Sequence, residues 1–236
     1  MREHVKSDNR SWASDILKRY DPDFKYIWER YHEELHKNID ATKIWVDLGC
    51  GKNPHVAEFG GMAAYSVGTD LFADAGISLP FVVSRLPLLP FQSESVDVVT
   101  LSFVVEHLKE VESNFQEIYR ILKPRGILIV LTTNAASPYI VLARWTPFKF
   151  KNIIIRKLYR VQEDDVLPTF HRFNFPKEFH ELGLKMPFVL QRLHYLQDVN
   201  FVRKGLFWFF FVGHLLTKNR YQRFRTNLLG VFQKMA

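Results

Sequence analysis

The 236 residues, 47% of them hydrophobic, suffice for one substantial core, and the length alone demands no second domain. A single cysteine, Cys50, excludes an internal disulfide, and no Cys or His stands beside it at zinc-ligand spacing, so no metal is expected. The formal net charge of +7 and the sequence pI near 9.4 permit an acidic partner such as nucleic acid or an anionic membrane, although charge that merely keeps the protein soluble needs no partner.

Met1 to Ser11 is polar and mixed in charge, with no apolar run behind a basic start; it does not read as a secretory signal, and a cytoplasmic chain is expected. From 12 to 38, Trp12, Ile16, Leu17, Tyr20, Phe24, Ile27, Trp28, Tyr31 and Leu35 recur mostly at steps of three or four. This spacing predicts amphipathic helices, broken at Asp21-Pro22, whose apolar stripe packs on the main domain.

Ile44-Trp45-Val46-Asp47-Leu48 is an apolar run that breaks into Gly49-Cys50-Gly51-Lys52-Asn53-Pro54. A buried parallel strand delivers main chain to a ligand in this way, with the glycines allowing a tight turn and close approach. Ala64 to Asp70 reads as a second strand ending in an acid. An aspartate at that point, about 20 residues beyond the glycine loop, is placed to accept hydrogen bonds from ribose hydroxyls. The nicotinamide and flavin dehydrogenases share this pattern, but their fingerprint wants a third Gly or Ala where Pro54 stands.

Pro80 to Ser84 is a third short apolar run, Leu86 to Phe91 precludes regular helix, and Ser93-Glu94-Ser95 forms a turn. Val96 to Ser102 is a buried-type strand, Glu110 to Leu122 an amphipathic helix stopped by Lys123-Pro124-Arg125-Gly126, and Ile127 to Leu131 a fifth strand. Strands alternating with helices imply a doubly wound parallel sheet with right-handed crossovers.

Asn134 to Asn174 loosens into prolines, aromatics and basic residues, and reads as a lid over the ligand edge of the sheet ahead of an ordinary packed insertion. Pro176 to Leu182 is a short helix ended by Gly183; Val189 to Leu196 and Leu228 to Gln233 are strand candidates. Between them Gly205 to Leu216 carries five aromatics in an unbroken run. At twelve residues it falls short of the about 20 that span a bilayer, and it reads as a buried helix, a dimer contact or, given the flanking Arg203-Lys204 and Lys218, Arg220, Arg223 and Arg225, an interfacial membrane helix.

Taken in order, Val46-Asp47-Leu48-Gly49-Cys50-Gly51, Asp70, Leu89-Pro90-Phe91 with Val96-Asp97-Val98-Val99, Glu106-His107-Leu108 and Leu122-Lys123-Pro124-Arg125-Gly126 resemble a class I S-adenosylmethionine-dependent methyltransferase of the type 11 kind. The resemblance covers residues 43 to 133 most strongly; His171-Arg172-Phe173-Asn174 and Asn227 to Lys234 extend it. It implies one domain with a Rossmann-like seven-stranded sheet, mostly parallel with an antiparallel last strand. In it, 1–42 are N-terminal helices, 43–134 the cofactor core, 135–175 a lid-like insertion and 176–236 the C-terminal strands.

The resemblance also implies S-adenosylmethionine as cofactor, with Gly49 and Gly51 lining its methionine portion, Asp70 binding its ribose hydroxyls and the residues just after the third strand, Ser84, Arg85 and Leu86, meeting its adenine; Asp47, Cys50, Leu71 and Ser102 complete the expected cofactor-binding set. Arg85 departs from the aspartate the family often has there, so main-chain groups or a neighbouring side chain would have to substitute in adenine recognition. Methyl transfer is an in-line displacement that needs alignment and exclusion of water more than a dedicated base. For a hydroxyl acceptor the candidate bases are His107 and His171, each of which alternatively only braces its segment; Ser102, Phe103, Tyr139 and Arg172 are candidate walls.

The expected acceptor is a small molecule or a lipid-linked compound methylated at oxygen or carbon, reached at a membrane surface. A nucleic-acid acceptor ranks lower, because no basic stripe with stacking aromatics is present. A non-catalytic cofactor-binding scaffold is the reading from a different class, and the oligomeric state is not legible.

Overall fold

The structure, a computed structural model, describes residues 10–73, 76–138, 140–141, 168–198, 204–217 and 222–236. The predicted lid and Tyr139 fall largely outside the described residues. The chain divides into two compact units, one of residues 1–30, 134–168 and 195–227, the other of 31–133, 169–194 and 228–236.

The second unit carries almost all of a seven-stranded sheet in the order β3-β2-β1-β4-β5-β7-β6. The strands are β1 (Ile44–Leu48), β2 (Tyr65–Asp70), β3 (Phe81–Val83), β4 (Val96–Ser102), β5 (Leu122–Thr133), β6 (Phe188–Leu196) and β7 (Asn227–Lys234). The first five pair in parallel, and antiparallel pairing enters at the last strands, as expected. Apolar runs such as Val98-Val99 and Leu128 to Leu131 are fully buried, the signature of strands covered on both faces. Helices α2 (Ile27–Asn38), α3 (Pro54–Phe59), α4 (Val111–Ile121) and α5 (Pro176–Lys185) accompany the sheet, with Phe115, Ile118 and Phe179 buried. Because β1 is flanked by β2 on one side and β4 on the other, the chain reverses direction of winding at β1. In doubly wound sheets this opens a crevice beyond the carboxyl ends of the strands.

Two boundaries differ from the sequence expectation. Helix α5 does not end at Gly183 but runs to Lys185. Gly183 serves close packing instead: an added Cβ would stand 2.5 Å from the Phe188 carbonyl oxygen. Residues 123–126 are not a loop ahead of the fifth strand but lie within β5. The register steps from Val96–Leu122 to Val98–Ile127, so these residues bulge from the ladder, with Arg125 at φ 65°.

In the first unit, α1 (Arg10–Tyr20) and α6 (Lys204–Thr217) contribute Leu17 and Phe211, which cluster with Phe24. A buried polar pair ties α6 to the residue that follows α1, with His214 Nε2 3.0 Å from Asp21 Oδ2. Asn134, fully buried, donates from Nδ2 to the carbonyls of Arg223 (2.8 Å) and Arg225 (2.7 Å) and so anchors the run into β7. Among the described residues, no helix is long and apolar enough to cross a membrane.

Candidate functional site

The turn after β1 holds three left-handed residues within five positions: Gly49 (φ 69°), Gly51 (φ 57°) and Asn53 (φ 60°). The amides of Gly49 and Cys50 both donate to the Thr69 carbonyl, at 2.7 and 3.0 Å, so the turn stays clamped to β2. A Cβ at Gly49 would overlap the Val104 side chain, which leaves glycine as the residue that satisfies both backbone and space. Asn53 is fully buried and donates from Nδ2 to the carbonyls of Ser78 (2.8 Å) and Pro80 (2.9 Å), tying the loop to the entry of β3. Pro54 then opens α3, where a missing N–H is tolerated. Burial, then the charges of Asp47 and Asp70, push the Cys50 thiol up, so it serves as a small packed residue and not as a thiolate.

Asp70 closes the loop from the other side. Its Oδ2 accepts from the Gly51 amide and its Oδ1 from the Leu71 amide, both at 2.7 Å. Leu71 is exposed beside it. The main chain continues this contact to β3, where the Ser84 amide donates to the Asp70 carbonyl at 2.9 Å. Arg85 and Leu86 follow, with the Leu88 amide turned back to the Arg85 carbonyl at 2.7 Å and the Arg85 side chain exposed.

Beneath the loop lies Asp47. The parallel register sets it opposite Gly68 on β2 and Thr100 on β4. Thr100 receives a hydrogen bond from Trp45 Nε1 at 2.9 Å and donates its own to Asp47 Oδ1 at 2.6 Å. Asp47 Oδ2 is buried with no hydrogen-bond partner among the described residues. Burial is the main cause, and the Asp70 charge a further one, of a carboxyl pushed up to about 7 despite the Thr100 bond. Burial, and then the charge of Asp47, also hold the Tyr31 phenol well above its usual range.

The ends of β4 and β5 form the other wall. Ser102 and Phe103 (φ 57°) leave β4, and the Phe103 amide donates to the Leu131 carbonyl at 2.8 Å. Glu106, 5% exposed, accepts from Thr132 Oγ1 at 2.7 Å, and Asn174 Nδ2 donates to Thr132 Oγ1 at 2.8 Å and to the Thr133 carbonyl at 3.0 Å. The Glu106 carbonyl accepts from the amides of Phe170 (2.8 Å) and His171 (3.4 Å), so the segments bearing His107 and His171 are brought side by side. Arg172 instead gives Nη1 to the Lys109 carbonyl at 3.1 Å, which fixes this candidate wall residue on the surface. No group of three or more metal-ligating side chains occurs among the described residues.

Sequence reasoning missed Asn53, Thr100, Gly68 and the Glu106–Thr132–Asn174 network. A signal existed for Asn53 alone: asparagine tolerates the left-handed conformation best after glycine, and it occupies the turn position before Pro54. Gly68 is the surface against which the loop packs, since a Cβ there would overlap Asn53 Oδ1 and stand 2.7 Å from Cys50 Sγ.

Residues 46–130 match the family model described as a methyltransferase domain. The demethylmenaquinone methyltransferase of Streptomyces griseus is 31% identical over 130 residues, covering 52% of this chain and 53% of that protein. A ubiquinone/menaquinone biosynthesis C-methyltransferase of Vibrio vulnificus is 32% identical over 121 residues, covering 44% and 46%. The chain thus spans about half the length of these curated relatives. Among solved structures, the geranyl diphosphate C-methyltransferase of Streptomyces coelicolor superposes with a TM-score of 0.58 at 13% identity, over 89% of this chain and 80% of that one. An S-adenosylmethionine dependent methyltransferase of Mesorhizobium loti gives 0.55 at 17%, over 86% and 96%. At such identities the likeness is one of fold.

Proposed function

We propose, on the premise that residues 46–130 are a methyltransferase domain of the class I fold, that the protein transfers a methyl group from S-adenosylmethionine to a small-molecule or lipid-linked acceptor at carbon or oxygen. The observation that carries this reading is the clasp of Asp70 on the Gly51 amide, above a buried carboxylate, Asp47, whose second oxygen has no partner among the described residues.

The residues fit the cofactor. Gly49 and Gly51 hold the left-handed turn that brings the loop main chain to Asp70, and each Asp70 oxygen accepts one amide while keeping lone-pair capacity for a ribose hydroxyl. Asp47, its carboxyl pushed up to about 7 by burial, would ionise against a cationic ligand that offsets that burial, and Cys50 lines the same turn as a small apolar surface. At the far end Ser84, Arg85, Leu86 and Ser102 present main-chain groups and side chains toward the adenine and methyl portions in this reading. When bound, the cofactor supplies an electrophilic methyl group.

Aligning an acceptor with that methyl can lower the barrier by about 7 to 11 kcal/mol in well-oriented cases, so no acid or base is obligatory. For acceptors that must lose a proton, His107 and His171 are the imidazoles assigned to receive it, held on neighbouring segments through the Glu106 carbonyl. The curated relatives support a ring-bearing lipid acceptor, since one is named for demethylmenaquinone and another for ubiquinone and menaquinone biosynthesis.

Calorimetric titration tests the reading first. S-Adenosylmethionine and its demethylated product are both expected to bind at micromolar concentrations, and Asp70→Ala to abolish the heat. Absence of binding by the wild-type protein at sub-millimolar concentrations would remove the proposal. Mass spectrometry of cell extract incubated with protein and cofactor, read for gains of one methyl, then identifies the acceptor.

A further inference from the structure

Helix α6 reverses the usual distribution of a surface helix, in which the water-facing side is polar. From Gly205 to Thr217 the one ionisable side chain is His214, and it is 1% exposed against Asp21. Among the described side chains of the helix the exposed ones are apolar: Trp208 is 57% exposed, Val212 52% and Leu216 71%, with Leu215 at their margin. At steps of four, three and one these residues fall on one stripe, whereas Phe211 and His214 turn toward Leu17 and Phe24. Tyr20 and Trp208 both meet the Phe211 ring edge-on, at 5.2 and 5.6 Å. The helix is therefore held by one face and offers an apolar stripe on another.

Charge selects the occupant of that stripe. Arg203, Lys204, Lys218, Arg220, Arg223 and Arg225 flank the helix in sequence, and no Asp or Glu follows Asp198. A second copy of the chain would bring the same positive flanks together, which disfavours self-association, whereas an anionic bilayer complements them. The fourteen-residue helix is about 21 Å long, too short for a hydrocarbon core of about 30 Å, so it suits lying in the interface.

We propose that α6 docks this protein onto an anionic membrane surface, with Trp208, Val212, Leu215 and Leu216 in the headgroup boundary and the exposed Arg223 on lipid phosphates, the remaining positive charge of the flanks adding attraction; Arg225 is excepted, since its Nη1 donates to the Tyr195 carbonyl at 3.2 Å. This goes beyond methyl transfer and holds independently of it, although a lipid-linked acceptor would give it a purpose.

Flotation of the full chain with vesicles of phosphatidylcholine alone or mixed with phosphatidylglycerol tests the proposal. The protein is expected to float with the mixed vesicles and to be released by salt. The double variant Trp208→Glu/Leu216→Glu, at two exposed positions, is expected to lose flotation while keeping its circular dichroism and its heat of cofactor binding. Arg223→Ala, also exposed, is expected to bind about fivefold more weakly. Brominated lipid should quench wild-type tryptophan fluorescence more than that of Trp208→Phe. Wild-type protein that ignores mixed vesicles, or a double variant that floats as well as wild type, overturns the proposal. So does a concentration-dependent dimer, abolished by Trp208→Glu, in protein that does not bind lipid. Failure of cofactor binding with intact flotation would sink the methyl-transfer reading alone.

Discussion

The main-chain amide of Gly51 donates to Asp70 Oδ2 at 2.7 Å, so the acid at the end of β2 latches the loop that leaves β1. With the Leu71 amide on Oδ1, one carboxylate organises both sides of the site. Asp70→Ala removes two charge-assisted hydrogen bonds, each of about 1.5 to 3 kcal/mol, as well as the acceptor for a ribose. Cofactor affinity measured by calorimetry is expected to fall by at least about a hundredfold. Asp70→Asn, which keeps one acceptor oxygen, is expected to fall in between. An Asp70→Ala protein that binds as tightly as wild type would refute the assignment of this acid.

Asp47 predicts a dependence on pH. Burial raises its carboxyl from the usual 3.8 to about 7, so the folded chain favours the protonated form. That preference contributes stability in full below about pH 4, and the contribution is lost as pH rises through 7. Asp47→Asn keeps an oxygen for the Thr100 hydroxyl and cannot ionise. The variant is expected to gain on wild type by roughly 1 kcal/mol per pH unit within that window, read from urea unfolding at several pH values. A cationic ligand that draws Asp47 into its ionised form should bind more tightly as pH rises toward 8, with proton release visible as a buffer-dependent heat. Parallel pH profiles for the two proteins would show that Asp47 is not the group responsible.

The parts of this site that the sequence discloses are those whose determinants are local. Gly49 and Gly51 announce a turn because nearby residue types restrict backbone angles, and Asp70 falls at the end of an apolar run that reads as a strand. Asp47 stands in plain view within the same motif, but its raised carboxyl depends on burial between β2 and β4 and on the Asp70 charge, and so on a strand register that no periodicity reveals. Gly183 misleads for a related reason. Glycine near a helix end suggests a stop, yet this one answers a clash with Phe188 that exists only in the folded chain. The aromatic run at 205–216 is legible as a helix, but which face it buries is set by Leu17, Phe24 and Asp21, far upstream.

Asn53 separates two energies that the loop combines. Asn53→Gly and Asn53→Ala both delete the bonds to the Ser78 and Pro80 carbonyls, worth about 0.5 to 1.5 kcal/mol each. Alanine must in addition hold φ near 60°, which glycine does without strain, and this is worth about 1 kcal/mol. Denaturant unfolding is expected to rank wild type above Asn53→Gly and Asn53→Gly above Asn53→Ala. Equal stability of the two variants would mean that the left-handed turn relaxes when its side chain is lost.

Glu34 shifts in the direction opposite to Asp47. The side chain is fully buried, which by itself pushes the acid up. Hydrogen bonds from His194, Lys37 and Arg192, with the Arg192 charge, outweigh burial and hold it down at about 2. A depressed carboxyl contributes stability that is present above the usual 4.5 and is lost as pH falls through 2. Glu34→Gln should therefore lower stability at neutral pH by about 2 to 3 kcal/mol, a figure tempered by the partial exposure of Arg192 and Lys37. It should also flatten the stability profile between about pH 4.5 and 2, where wild type declines. Because the larger part of that loss is a stranded arginine, Glu34→Leu/Arg192→Met is expected to recover most of the neutral-pH stability while keeping the flat acid limb. If the double variant remains as unstable as Glu34→Gln, the charged cluster contributes more than its burial and pairing explain.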